Sequence, residues 1–101
     1  MRVKIAKASE LEPGKSKAVE VLGRAIAVFN IKGEFFAIDD SCSHMGAPLA
    51  NGMLGGKEVT CEWHGASFNL ETGAATEGPT RGDIRAYKVI CNADDLEIDL
   101  D

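Results

Sequence analysis

Two short motifs place the strongest constraint on how this chain can fold. The first is a cysteine–x–histidine motif at Cys42 and His44, and the second is a cysteine–x–x–histidine motif at Cys61 and His64. Together they contain both histidines of the chain and two of its three cysteines. Two thiolates and two imidazoles suit a tetrahedral zinc ion or an iron–sulfur cluster with mixed ligands. We therefore predict that these four residues bind a metal, which requires the fold to bring both motifs together.

The length and the cysteine count narrow the class of protein. A chain of 101 residues predicts a single domain over residues 1–101. Three cysteines argue against a disulfide framework, because disulfides use cysteines in pairs. The first residues lack the apolar stretch of a signal peptide, and no segment approaches the length of a transmembrane helix. We therefore expect a cytoplasmic protein that does not contact membranes.

The charge of the chain is unevenly distributed. The formal net charge is −5, yet residues 1–33 carry seven basic and three acidic side chains. Residues 34–80, which contain both motifs, carry one basic and seven acidic side chains. This acidic middle segment argues against nucleic-acid binding, which requires a basic face. It allows docking on cationic protein surfaces, although any single carboxylate is better interpreted as part of a solvated face.

The rest of the sequence has the pattern of short strands separated by turns. Runs of alternating or continuous apolar residues predict strands at residues 2–5, 17–23, 24–31, 34–39, 57–61, 67–70, 74–76, 84–91 and 96–100. Residues 8–12 suggest a helical turn with Ser9 as its N-cap, and Cys91 is predicted to be a buried thiol. We predict an all-β fold, an antiparallel sandwich or barrel, with both metal motifs at strand ends.

The spacing within the motifs bears on which metal is bound. Common structural zinc sites use a closely spaced pair of cysteines and a distant pair of histidines. Here each motif supplies one cysteine and one histidine. Cys42 and His44 are separated by a single residue, so their side chains can reach different atoms more easily than one shared ion. A two-iron cluster accommodates this arrangement better, although zinc remains possible on spacing alone.

A wider set of residues around the motifs resembles a known family. Cys42-Ser43-His44-Met45-Gly46 and Cys61-Glu62-Trp63-His64-Gly65 resemble the cluster-binding motifs of Rieske-type ferredoxins, in particular the ferredoxin components of bacterial aromatic-ring-hydroxylating dioxygenase systems. Supporting matches are Pro48-Leu49, Gly52-Met53-Leu54, Phe68, Thr72-Gly73 and Gly78-Pro79. The resemblance implies a Rieske-type β fold with a small cluster-binding subdomain at about residues 41–80 and one [2Fe-2S] cluster per chain. It implies that Cys42 and Cys61 ligate one iron, and that His44 and His64 ligate the other.

The chain departs from the pattern of high-potential Rieske proteins at positions that affect the reduction potential of the cluster. High-potential Rieske proteins carry a disulfide between the two loops, and they carry a serine and a tyrosine that donate hydrogen bonds to the cluster sulfurs. The matching positions here are Ala47 and Trp63 for the disulfide, and Ala66 and Phe68 for the hydroxyl donors. Since each missing donor removes stabilisation of the reduced state, we predict a low potential. Trp63 suits a docking aromatic and a cover for the cluster equally well.

The resemblance also implies a function. Rieske ferredoxins of this kind carry single electrons from an NAD(P)H-dependent flavoprotein reductase to a terminal Rieske oxygenase that hydroxylates an aromatic ring. We expect this chain to do the same as a monomer, with no catalytic residues of its own. Two alternatives are the small Rieske-like subunit of assimilatory nitrite reductase and a zinc-binding structural module.

Overall fold

The fold consists almost entirely of β-strands. The computed structural model describes residues 1–42, 48–62, 65–78 and 82–100. In chain order the strands of these residues are β1 (Arg2–Lys7), β2 (Ser16–Val21), β3 (Arg24–Ile31), β4 (Glu34–Asp39), β5 (Met53–Gly55), β6 (Glu58–Thr60), β7 (Ser67–Asn69), β8 (Ala75–Glu77), β9 (Ala86–Tyr87), β10 (Val89–Asn92) and β11 (Asp95–Asp99). Two short 3-10 helices, Ala8–Glu10 and Leu49–Asn51, are the helical elements found there.

The strands form three antiparallel sheets. The first has the order β1-β11-β10, the second β2-β3-β4-β9 and the third β5-β6-β7-β8. Every strand pairing in these sheets is antiparallel. The predicted all-β antiparallel fold is therefore confirmed.

The second sheet is buried on both of its faces. Ile26 and Val28 of β3 belong to one core cluster, which also contains Leu96 and Ile98 of β11. Since successive side chains of a strand point to opposite faces, Ala27 and Phe29 pack into a second cluster with residues of the third sheet. A strand that is covered on both faces does not alternate between apolar and polar residues, which explains the continuous apolar run from Ile26 to Phe29.

The third sheet is inserted into the chain between β4 and β9. It is built from the short hairpins of β5 to β8, which span Met53–Glu77, and it contributes Val59, Phe68 and Leu70 to the second core cluster. The two strands before this insertion and the strand after it all belong to the second sheet. The insertion therefore rests on the second sheet through a shared apolar core.

Three details of the sequence-based prediction are wrong. Residues 84–91 do not form one strand, because the chain leaves the second sheet after Tyr87 and joins the first sheet at Val89. Ser9 is not the cap of the first helical turn, since its hydroxyl donates to Asp94 Oδ2 at 2.6 Å. Cys91 is exposed rather than buried, because β10 forms the edge of its sheet.

Other features lay outside what the sequence pattern indicated. The strand β5 and the second 3-10 helix were not predicted. Both are only three residues long and lie next to glycines, so the sequence has no clear strand or helix pattern there. Among the described residues, no helix is both long and apolar enough to cross a membrane.

Candidate metal centre

The two cysteines of the metal motifs are both buried in the same core cluster. Cys42 is 3% exposed and follows β4 of the second sheet, whereas Cys61 is 2% exposed and follows β6 of the third sheet. All three cysteines lie within the described residues, and the structure forms no disulfide between them. Two reduced, buried thiols at the starts of two neighbouring loops form a donor set that suits a metal centre with thiolate ligands.

The two histidines lie outside the described residues. His44 belongs to the segment 43–47 and His64 to the segment 63–64, and neither segment is described. The roles predicted for His44, His64, Ala47 and Trp63 therefore stay predictions. Within the described residues no group of three or more histidine, cysteine or acidic side chains is arranged to hold a metal ion.

The second sheet fixes the position from which the first loop leaves. The Asp39 amide donates to the Arg85 carbonyl at 2.9 Å, and the Asp40 amide donates to the Ala25 carbonyl at 3.0 Å. The chain leading into Cys42 is thus hydrogen-bonded to β3 on one side and to the segment before β9 on the other. The backbone position of Cys42 is therefore fixed by the residues before it, although Cys42 itself lies beyond the end of β4.

The second loop is closed by the hairpin of β6 and β7. Thr60 pairs with Ser67 in the ladder, and the Cys61 amide then donates to the Ala66 carbonyl at 2.7 Å. This bond holds Cys61 at the mouth of a short loop. The ladder of β6 and β7 ends at this bond, so Cys61 and Ala66 mark the two ends of the second loop.

A close backbone contact supports the second loop from behind. Gly78 has φ of +82°, and a Cβ atom at this position would come within 2.6 Å of the Gly65 carbonyl oxygen and 2.9 Å of the Ala66 Cα. Only glycine permits this approach together with this backbone conformation. Gly78, which directly follows β8, therefore packs directly on the loop that contains the second motif.

The two residues predicted to stand where high-potential Rieske proteins have hydroxyl donors are Ala66 and Phe68, and neither has a side-chain hydroxyl group. Ala66 and Phe68 are fully buried in the same cluster as the two cysteines. The hydroxyl nearest to them along the chain is that of Ser67, and it is hydrogen-bonded to Thr60 Oγ1 at 2.8 Å.

A polar network lies beside Cys42, in a cleft of about 790 Å³. The Tyr87 hydroxyl donates to Asp39 Oδ1 at 2.7 Å, and Arg24 Nη1 lies 3.5 Å from the same hydroxyl. The Arg85 guanidinium lies 4.9 Å from the centre of the Tyr87 ring. Burial and the Asp39 carboxylate raise the pKa of Tyr87. Sequence reasoning missed this network, because no local pattern predicts contacts between residues so far apart in the chain.

An exposed ion-pair network connects the third sheet to the second. Lys57 Nζ lies 3.4 Å from Glu34 Oε1 and 3.3 Å from Glu71 Oε1. The hydrogen bond with Glu71, followed by the charge of Glu34, raises the pKa of Lys57. Since all three side chains are exposed, this network contributes little to stability. Lys57 is also the only basic residue of the acidic middle segment.

Comparison with known proteins places these features in a family. The family model described as the Rieske [2Fe-2S] domain matches residues 1–92. The ferredoxin component of biphenyl 2,3-dioxygenase from Rhodococcus jostii (strain RHA1) is 37% identical over 98 residues, which are 97% of this chain and 92% of that protein.

Solved structures agree with the sequence comparison. The ferredoxin of carbazole 1,9a-dioxygenase from Nocardioides aromaticivorans IC177 matches with a TM-score of 0.93 and 29% identity, covering 100% of this chain and 99% of that chain. A ferredoxin in a complex of reduced oxygenase and oxidized ferredoxin in carbazole 1,9a-dioxygenase matches with a TM-score of 0.89 and 28% identity, covering 99% and 97% of the two chains. The predicted Rieske-type fold is therefore confirmed.

Proposed function

This chain belongs to the Rieske [2Fe-2S] family, and from that premise we propose that it is the ferredoxin of a ring-hydroxylating oxygenase system. It is an electron-transfer protein rather than an enzyme, as its ferredoxin relatives are. Its cofactor is a Rieske [2Fe-2S] cluster, which supplies reversible one-electron transfer when bound. The observation that carries the proposal is the pair of buried, reduced thiols at the starts of two loops in one core cluster.

The four residues of the two motifs are the proposed ligands. Cys42 and Cys61 bind one iron, and His44 and His64 bind the other. The burial of both thiols supports the first assignment, since it removes them from solvent and from disulfide exchange. The histidine assignment rests on the spacing of the motifs and on the family. Neutral imidazoles in place of two thiolates reduce the negative charge around the cluster, which makes the reduced state easier to reach.

The residues beside the second motif favour a low potential within the Rieske range. Ala66 and Phe68 supply no hydroxyl group, and the Ser67 hydroxyl is hydrogen-bonded to Thr60. Hydrogen bonds to cluster sulfurs stabilise the reduced state, so their absence lowers the potential. We expect a value near the lower end of the range of about −150 to +300 mV that Rieske centres span.

Two protein partners follow from this role. The proposed donor is an NAD(P)H-dependent flavoprotein reductase, and the proposed acceptor is a terminal Rieske oxygenase. The complex in which a structurally similar ferredoxin is seated on an oxygenase supports the acceptor. A monomer suits a carrier that must bind the two partners in turn. The ferredoxin relatives favour this function over a nitrite reductase subunit, and the family's cofactor argues against a zinc module.

Metal analysis of purified variants tests the cofactor and its thiolate ligands. Protein purified without oxygen should contain iron and acid-labile sulfide in equal amounts. Cys42→Ala and Cys61→Ala should each lose both, whereas Cys91→Ala should keep both, because Cys91 is exposed and lies outside the two motifs. A colourless protein with stoichiometric zinc would contradict the proposal.

Reconstitution with partners tests the carrier role. A purified dioxygenase reductase and terminal oxygenase should turn over an aromatic substrate with NADH only when this protein is added. Cys61→Ala should not support turnover, and Cys91→Ala should support it fully. Reduction of the protein by the reductase without any transfer to the oxygenase would contradict the proposed acceptor.

A further inference from the structure

The backbone of one residue at the end of the first loop, Ala50, is held through both its N–H and its C=O by side chains at two strand ends of the second sheet. The Ala50 amide donates to Asp40 Oδ1 at 2.8 Å, and the Ala50 carbonyl accepts a hydrogen bond from Ser16 Oγ at 2.5 Å. Ser16 begins β2, and Asp40 directly follows β4. We refer to Asp40, Ser16 and the Ala50 peptide as the Ala50 clamp.

The clamp lies at the point where the first loop returns to the core. Cys42 begins this loop, and Leu49 and Ala50 end it in the second 3-10 helix. All three are buried in one cluster. The two ends of the loop are therefore packed together, and the clamp adds hydrogen bonds to that packing at the returning end.

Asp40 is rigidly placed for this contact. Its own amide donates to the Ala25 carbonyl of β3 at 3.0 Å, so its backbone continues the ladder of the second sheet. Its carboxylate then crosses the base of the loop to reach Ala50, ten residues along the chain. The acceptor is a carboxylate oxygen, and the carbonyl oxygen of an amide is able to accept the same hydrogen bond.

We propose that Asp40 and Ser16 are positioning residues, which hold the first loop in the geometry that presents Cys42 and His44 to the cluster. This inference rests on the proposed function, since it assumes that Cys42 and His44 are ligands. Asp40 and Ser16 lie outside both motifs, yet they would help the protein to retain the cluster and to keep its ligands in a single geometry. Ligand-supporting contacts of this kind affect metal retention strongly in other proteins.

The rate of iron release distinguishes the effect of the Asp40 hydrogen bond from the effect of the Asp40 charge. Asp40→Ala removes the acceptor and the charge, whereas Asp40→Asn removes the charge but keeps a carbonyl oxygen in place. We expect release of iron to a chelator to become about ten-fold faster in Asp40→Ala and to stay within about two-fold of wild type in Asp40→Asn. Ser16→Ala should accelerate release, and Ser16→Thr should restore the wild-type rate.

A control uses a second serine hydroxyl, that of the exposed Ser9. Ser9→Ala breaks the hydrogen bond to Asp94, which joins the first 3-10 helix to the β10–β11 turn. We expect this variant to release iron at the wild-type rate. Equal acceleration in Ser9→Ala and Ser16→Ala would show a general loss of stability and would overturn the proposal.

Two further measurements on the same variants decide the positioning role. Asp40→Ala and Asp40→Asn carry the same charge, so a broader electron paramagnetic resonance signal in Asp40→Ala alone would report disordered ligand geometry. Hydrogen exchange in peptides spanning residues 48–52 should be faster in Asp40→Ala and in Ser16→Ala than in wild type. Identical release, spectra and exchange in Asp40→Ala and Asp40→Asn would overturn the proposal.

Failure of the proposed function has a different signature. A wild-type protein that holds zinc or no iron would refute the function. Hydrogen exchange at residues 48–52 would still test whether Asp40 and Ser16 hold this segment, because that measurement does not depend on the cluster.

Discussion

Tyr87 is the only tyrosine of the chain and lies at the centre of the polar network beside Cys42. Burial and then the Asp39 hydrogen bond raise its pKa above the ordinary value of 10.0, while the hydrogen bond from Arg24 opposes the shift. Asp39 and Arg24 therefore shift the pKa of Tyr87 in opposite directions. A single tyrosine makes that titration directly observable.

We expect Asp39→Ala to lower the pKa of Tyr87 and Arg24→Ala to raise it. Ultraviolet difference absorbance of tyrosinate during a pH titration measures both shifts. Because the pKa is raised in the folded state, the stabilisation from Tyr87 is present below pH 10 and is lost as the pH rises through the folded-state value. Shifts of the same sign in both variants would contradict the network.

Ala66 and Phe68 are the residues where hydroxyl groups would raise the potential. Ala66→Ser and Phe68→Tyr should each raise it by roughly 60 mV, the equivalent of about 1.4 kcal/mol for one electron. Ser67→Ala should change it little, since that hydroxyl is hydrogen-bonded to Thr60. Protein-film voltammetry measures all three, and an unchanged potential in both hydroxyl variants would show that neither position faces the cluster sulfurs.

At the scale of elements, the hairpins were the most predictable part of the fold. Lys32-Gly33 lies between two apolar runs, and both residues have positive φ, as the tight turn between β3 and β4 requires. The turn between β7 and β8 likewise contains a glycine with positive φ, Gly73. Such turns depend on a few adjacent residues, so sequence alone specifies them.

Features that depend on tertiary contacts escaped prediction. The chain changes sheets at Lys88 because Tyr87 pairs with β4 and Val89 pairs with β11, and no local signal marks the change. The Asp40–Ala50 contact joins residues on opposite sides of the first loop. The sequence singled out Cys42 and Cys61 by their chemistry, and the structure places both in one core, while their role as ligands stays a prediction.

Gly78 links the end of β8 to the second loop, which makes its substitution a test of that contact. Gly78→Ala should destabilise the protein by more than Gly33→Ala does. Both positions have positive φ, which costs roughly 1–2 kcal/mol for alanine, but only Gly78 also meets backbone atoms. Denaturant unfolding compares the two variants, and equal losses would show that the contact with Gly65 and Ala66 carries no weight.

At the scale of the whole molecule, the acidic middle segment bears on partner binding. Residues 34–80 carry a net charge of −6 in a protein whose total is −5. Among the described residues, the carboxylate of Glu34 and that of Glu71 share the ion pair with Lys57, while Glu77 is exposed on β8. Charge of one sign near a docking site steers a partner of the opposite sign.

We expect electron transfer to the oxygenase to slow as the salt concentration rises. At limiting concentrations of this protein, the rate should fall by about ten-fold between low salt and about 1 M salt. Glu77→Gln should reduce the rate at low salt, whereas Glu20→Gln, an exposed residue of β2 outside the segment, should not. A rate independent of salt would leave apolar contacts alone to hold the complex.

The central claim is that two cysteines and two histidines of this chain bind one two-iron cluster, with each pair on its own iron. Electron paramagnetic resonance of the dithionite-reduced protein tests this most directly, because it separates mixed histidine and cysteine ligation from ligation by four cysteines and from zinc. We predict the signal of mixed ligation in wild type and its loss in His44→Ala and His64→Ala. A signal of the all-cysteine type, or no iron signal at all, would contradict the claim.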